Sequence, residues 1–194
     1  ICQEIVKENN LPTLNYSFII LESNKKGLRM SLNIDLKVIR VGLLITLLSL
    51  VFGIGLGIAF GAKEEVFKNY ISENIQLNPT VHDEKSKDKI WRYVQRAHFH
   101  SAGIAAYSLA LLLLILVSKM KDSTKSFSST MIGIGTLYPF SWYLMFLLAP
   151  TIGRDAAHNH ILTESIVYVS TGAFLIGLFM IFSSLFFNMF NEEK

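Results

Sequence analysis

Four of the five histidines in this chain occur in two His-x-His pairs, His98 with His100 and His158 with His160. Glu164 follows the second pair at the spacing of one helical turn. Imidazole and carboxylate groups at one end of a helical bundle are ligands that a transition metal or a haem would use. The rings of a His-x-His pair point apart on a continuous helix, so neither pair alone can chelate one ion. A pair across two helices, His98 with His160, is the better geometry for a transition metal or haem b.

Two other interpretations of these side chains stay open. His and Arg side chains are also stable at the headgroup boundary of a membrane, where they bond to each other and to loop carbonyls, and we favour this structural role. A quinone, a lipid or a partner subunit bound at the same place is the third interpretation. Beside a His98–His160 pair, Glu164 would be a ligand, a group that orients a ligand, or the salt-bridge partner of Arg96 or Arg154.

The elements that must position these residues are membrane spans. Hydrophobic residues make up 51% of the chain and charged residues only 17%, against about a quarter charged in soluble domains. About twenty apolar residues in a helix cross the ~30 Å hydrocarbon layer. Four stretches of this kind predict an all-α, integral membrane four-helix bundle, with spans at about 38–60, 97–117, 130–149 and 161–187.

Four spans place both ends of the chain on one side of the membrane. The end of the first span, the start of the second, the end of the third and the start of the fourth then share the other side. We call this side the histidine end, because it would collect the candidate ligands of one site, namely His98, His100, His158, His160 and Glu164.

Small residues predict where the first two spans pack. Glycines or alanines spaced by four lie on one helix face and let two backbones approach closely. Such faces occur on both spans, and we expect them to meet in a structural contact with His98 beside it; the residues are Gly53, Gly57 and Gly61 on the first span, with Ala102, Ala106 and Ala110 on the second.

Three segments depart from four regular spans. Residues 63–77 carry an apolar residue every fourth position between charges, which predicts an amphipathic extramembrane helix lying at the membrane interface between spans one and two. Pro139 interrupts the third span and predicts a kink near the middle of the membrane. Residues 1–29 are expected to be a loose tail or upstream translated sequence, followed by one membrane domain at 30–194.

Several classes of function are disfavoured by the sequence. The middle of the four spans has no ionisable residue of the kind that marks proton relays and ion paths. No motif for a serine nucleophile, a His-Glu-x-x-His metal site or a phosphate loop is present. The net charge of +3 is spread over many loops, so no nucleic-acid partner is expected. We therefore expect an accessory or structural component rather than an enzyme, with the bilayer and a larger membrane complex or further copies of itself as partners.

One short loop predicts the orientation of the chain in the membrane. Residues 119–125 carry three lysines against one aspartate, whereas the charges at the histidine end are balanced by acidic residues. Basic loops remain on the cytoplasmic side. We expect both termini in the cytoplasm and the histidine end outside.

A resemblance to known membrane proteins rests on three segments, which are WRYVQRAHFHSAGI, LYPFSWYLMFLLAP and GRDAAHNH. Together they make residues 30–187 resemble the small four-span inner-membrane proteins of bacteria, which implies an architecture and a location but no activity. The Ala-His-x-His segment with a glycine soon after it is also similar to helices of membrane proteins related to the haem–copper oxidases. That second resemblance implies only that His98 or His100 binds haem or copper.

Overall fold

The computed structural model describes residues 35–192, all within one compact unit; the tail predicted for residues 1–29 lies outside them. The described part is helical and contains no β-strand. Its elements, in chain order, are a short 3-10 helix Leu36–Ile39, α1 Arg40–Leu77, a 3-10 turn Pro79–Val81, α2 Ser86–Val117, α3 Asp122–Gly135, α4 Pro139–Ile152, α5 Arg154–His158 and α6 Ile161–Phe187.

The four predicted spans are present as helices that are long and apolar enough to cross a membrane, at Leu36–Leu77, Ser86–Val117, Asp122–Ile152 and Ile161–Phe187. Many large apolar side chains lie exposed on their outer surfaces, as lipid allows and water disfavours. At 38 and 32 residues, α1 and α2 are about 57 and 48 Å long at 1.5 Å per residue. Both exceed the ~30 Å hydrocarbon layer, so the bundle continues beyond it.

The predicted separate amphipathic helix is not observed. Residues 63–77 continue α1, and only Lys63 departs from helical dihedral angles, with φ −148° and ψ 45°. The periodic apolar face is real, but it packs on protein: Ile71 is fully buried, and Phe67 lies beside it against Phe146 of α4. The sequence pattern identified an apolar face without identifying its partner.

The third span breaks where Pro139 predicts it, between α3 and α4. The amides of residues 136–138 and of Phe140 bond to carbonyls three residues back instead of four, which leaves the Thr136 carbonyl without a backbone partner. The Ser49 hydroxyl of α1 donates to that carbonyl at 2.8 Å, and the Ser101 hydroxyl of α2 donates to the Ser49 carbonyl at 2.6 Å. A hydroxyl from a neighbouring helix thus satisfies the carbonyl freed by the break inside the bundle.

This polar layer separates two apolar clusters. One cluster, at the histidine end, joins α1, α2, α4 and α5 around Ile71, Ile90 and Phe146. The other joins α2, α3 and α6 around Leu112 and Ile132, together with Ile39, at the end where the chain segment 188–192 pairs with the loop between α2 and α3. Helix α6 packs mainly against α3 and much less against α2.

The contact between α1 and α2 uses only part of the predicted small faces. A Cβ on Gly53 would lie 2.9 Å from the Ala102 nitrogen, and one on Gly57 would lie 2.6 Å from the His98 ring. Because the helices are antiparallel, the α2 residue level with Gly57 is His98, earlier in the chain than Ala102. The remaining predicted members face away from this contact: Gly61 has open space around it, and Ala106 and Ala110 are exposed.

A second close approach, between α1 and α3, was not predicted. A Cβ on Gly133 would lie 2.8 Å from both the Cα and the carbonyl oxygen of Gly42, and a Cβ on Gly42 would overlap the Ser129 carbonyl. The buried face of α2 likewise lies one or two positions away from the predicted alanines and includes Ser101, Ala105, Ser108 and Leu112.

Candidate functional site

The bundle is closed at the histidine end by a structure that we call the end cap, made of residues 64–90 and 147–158. Its first part is the half of α1 after Lys63, which is tied to α4 by a 2.7 Å hydrogen bond from the Tyr70 hydroxyl to the Leu147 carbonyl.

The second part of the end cap is the corner between α4 and α5. Gly153 has φ +86°, a conformation that side chains disfavour, and a Cβ there would lie 3.2 Å from the Val81 carbonyl oxygen. The adjacent His82 bonds through Nε2 to the Pro150 carbonyl at 2.9 Å. A carbonyl only accepts, so Nε2 carries a proton. The Nδ1 of His82 is buried and has no partner among the described residues.

An ion pair joins the loop before α2 to the start of α5. Arg154 donates to Asp83 at 3.0 Å, and Asp83 also accepts from the Ser86 hydroxyl at 2.7 Å. The Asp83 amide also donates to the Ser86 oxygen at 3.0 Å, so the two residues bond to each other in both directions where α2 begins. The Ser86 hydrogen bond, together with the positive charge of Arg154, lowers the pKa of Asp83 below its ordinary value.

These groups line a pocket of about 440 Å³. The pocket opens between the 3-10 turn at Pro79–Val81 and the α4–α5 corner, and its walls carry both signs of charge, from Arg154 and from Asp83 and Asp155. Hydrogen-bond donors and acceptors of both charges suit recognition of a polar group. The volume lies within the ~300–1,000 Å³ range that small ligands or inserted side chains occupy.

His98 joins two helices. Its Nδ1 donates to the Gly53 carbonyl at 2.7 Å, and its ring packs at an angle of 80° to Phe60, with 5.8 Å between centroids. The ring fits because Gly57 has no side chain. Since the donor position is taken by Gly53, only Nε2 of this imidazole has a free lone pair.

His100 lies on another face of α2 and contacts α4. Its exposed ring stacks on Trp142 at 6.1 Å and lies edge-on to Tyr138 at 6.0 Å. The Arg96 guanidinium lies over the same indole, 4.7 Å from the ring centroid, which is within cation–π range.

The later candidates sit at the α5–α6 junction. His158 is exposed and contacts Asn159 through Nδ1 at 3.2 Å. His160 precedes α6 and caps it, with its Nδ1 accepting from the Leu162 amide at 3.3 Å. Glu164 lies in the first turn of α6, where a negative charge stabilises the helix N-terminus.

The predicted ligands therefore have separate local partners. No hydrogen bond or ring contact joins one of these histidines to another in the described chain, and residues 35–192 contain no group of three or more His, Cys, Asp or Glu side chains that could hold a metal ion. Sequence reasoning did not single out Asp83, Ser86 or His82. The signal for the first two was an Asp-x-x-Ser spacing immediately before an apolar helical period.

Comparison with known proteins adds no further constraint: no protein-family model, no curated protein and no solved structure matches this chain.

Proposed function

We propose that this chain is a non-enzymatic, multi-pass protein of a bacterial inner membrane that binds a partner subunit through its end cap. In this proposal both termini are cytoplasmic and the end cap lies outside. The partner is a second membrane protein, or a further copy of the chain, that inserts a polar loop into the pocket between Pro79–Val81 and Arg154.

The observation that carries the proposal is the construction of the end cap. An ion pair, a histidine bonded to a carbonyl and a glycine with positive φ hold a polar pocket open beyond the membrane-spanning region. The alternative, a redox protein with haem or a transition metal at His98, His160 and Glu164, draws support from residue types only. In the described chain, the His98 ring bonds to α1 and the His160 ring bonds to the start of α6.

The test compares two ion pairs, one at the pocket and one away from it. Arg154→Gln removes the pair at the pocket. Lys68→Gln removes the 2.9 Å pair between Lys68 and Glu64, which also belongs to the end cap but does not line the pocket. Each variant is extracted from its own type of membrane in native nanodiscs, and its mass and its partners are measured by native mass spectrometry.

We expect the wild type and Lys68→Gln to carry the same stoichiometric partner, or the same number of copies of the chain. Arg154→Gln should lose the partner while it stays folded, with only a small decrease in melting temperature. A wild-type chain that is monomeric and alone in these discs would contradict the proposal. So would an Arg154→Gln variant that keeps the partner.

A further inference from the structure

One stripe of α2 joins the headgroup boundary to the interior of the membrane. Arg96, His100, Ile104 and Tyr107 are spaced by four, four and three residues and therefore share a face. Arg96 and His100 are exposed, and Tyr107 is 47% exposed. The stripe begins with a cation and ends with an apolar ring.

The cationic end of the stripe has unpaired hydrogen-bond donors. Within residues 35–192 the ion pairs are Lys68 with Glu64 and Arg154 with Asp83, so no carboxylate lies within salt-bridge distance of Arg96. The Arg96 guanidinium is held over Trp142, whose Nε1 is buried and also lacks a partner among the described residues. An anionic group is the complement of the exposed guanidinium.

The other end of the stripe borders a groove of about 220 Å³ between α2, α3 and α6. The groove exists because α6 packs on α3 rather than on α2. Its walls are mostly apolar and come from Ile104 and Tyr107, from Gly135 and Tyr138, and from Phe174 and Leu175. It is smaller than the ~300–1,000 Å³ of ordinary small-molecule pockets, so it suits a slender chain better than a ring system.

Tyr138 connects the cationic end of the stripe to the groove, because its ring contacts His100 and also lines the groove. From Arg96 to Tyr107 the helix rises about 16 Å at 1.5 Å per residue, close to half of the ~30 Å hydrocarbon layer. A molecule with an anionic head at Arg96 and a tail in the groove therefore spans one leaflet.

We propose that this surface binds an anionic phospholipid of the surrounding bilayer, with its phosphate on Arg96 and one acyl chain in the groove between α2 and α6. The planar guanidinium matches two phosphate oxygens, and the exposed His100 ring stacks on the same indole as Arg96. The site is independent of the partner surface on the end cap.

The test is quenching of Trp142 fluorescence by lipids with brominated acyl chains. Trp91→Phe leaves Trp142 as the sole tryptophan. The protein is delipidated and reconstituted in phosphatidylcholine vesicles that contain a minor fraction of either brominated phosphatidylglycerol or brominated phosphatidylcholine. The ratio of the two quenching constants reports selectivity and cancels changes in the intrinsic fluorescence of the indole.

We expect a ratio of about 5, the value for one cation facing an anionic lipid. Arg96→Gln should bring the ratio close to 1. Arg40→Gln is the matched control, because it removes the same charge from an exposed arginine at the opposite end of the bundle, and it should keep the ratio. Inorganic phosphate, which has the charge without the chain, should not displace the lipid.

Equal quenching by the two lipids would overturn the proposal, as would a ratio that survives Arg96→Gln or a lipid displaced by inorganic phosphate. If a substituted chain does not fold, native mass spectrometry of the unsubstituted protein decides instead. Retention of phosphatidylglycerol in preference to phosphatidylcholine supports the site, and equal retention of the two refutes it.

Discussion

Alanine at position 133 tests whether the backbones of α1 and α3 are as close as the structure places them. The new Cβ would lie 2.8 Å from the Cα and the carbonyl oxygen of Gly42, whereas ordinary contacts begin at 3.4 Å. Both contacted atoms are backbone, so no side-chain rotation relieves the overlap, and the helices must separate by about 0.6 Å, as in other overpacked interiors.

The expected cost is about 1–3 kcal/mol of unfolding free energy. Alanine also gains up to ~1 kcal/mol over glycine in helix propensity, which hides part of this cost. Gly55→Ala is the matched control, because a Cβ there has nothing within 4 Å and gains the propensity alone. The difference between the two variants isolates the overlap.

The assay is reversible unfolding in mixed micelles of a mild detergent and sodium dodecyl sulfate, followed by tryptophan fluorescence. We expect Gly133→Ala to be less stable than Gly55→Ala by about 1–3 kcal/mol. Equal stability of the two variants would refute the close approach of α1 and α3 and, with it, the packing of the bundle described above.

Two further predictions concern polar contacts. Ser49→Ala removes the donor to the Thr136 carbonyl and should cost about 0.6–1.7 kcal/mol in the same assay; Ser72→Ala, whose hydroxyl bonds only within α1, should cost less, and equal losses would contradict the role of Ser49. The pKa of Asp83 is lowered in the folded chain, so its contribution is complete above the ordinary value of 3.8 and is lost as pH falls through the lower folded value. Asp83→Asn should therefore flatten the acid limb of a melting-temperature profile, and an unchanged limb would contradict the ion pair with Arg154.

Helix number and span position were predictable because lipid imposes a length and an apolar composition on every crossing segment. The break at Pro139 was predictable because proline removes one backbone donor. Neither inference requires knowledge of which helix lies beside which.

Helix pairing and register were harder to predict. The periodic face of residues 63–77 is the same whether it lies on lipid or on α4, so its burial around Ile71 could not be derived from the pattern. The sequence identified small faces on α1 and α2 but not the register in which the two helices pack. Gly57 contacts His98 rather than Ala106. Ser49 and Ser101 are ordinary residues in the sequence. Their bonds to each other and from Ser49 to the Thr136 carbonyl depend on which helices lie side by side.

The contacts of the histidine side chains were likewise not predictable from the sequence. Their positions in the topology predicted a common end of the bundle, whereas the rings turn toward different neighbours: His98 to α1, His100 to Trp142 and His160 to the start of α6. The pocket of the end cap depends on Asp83 and Arg154, which are 71 residues apart in sequence. Contacts at that distance leave no periodic signal.

The central claim is that the histidines hold helices in place and that the end cap is the binding surface. Its most direct test is metal analysis, with oxidised and reduced visible spectra, of protein purified in mild detergent from its own type of host. We predict a colourless, metal-free, folded protein in which His98→Gln loses only modest stability. A stoichiometric metal or a haem band that disappears in His98→Ala and His160→Ala would contradict the claim and establish these residues as ligands.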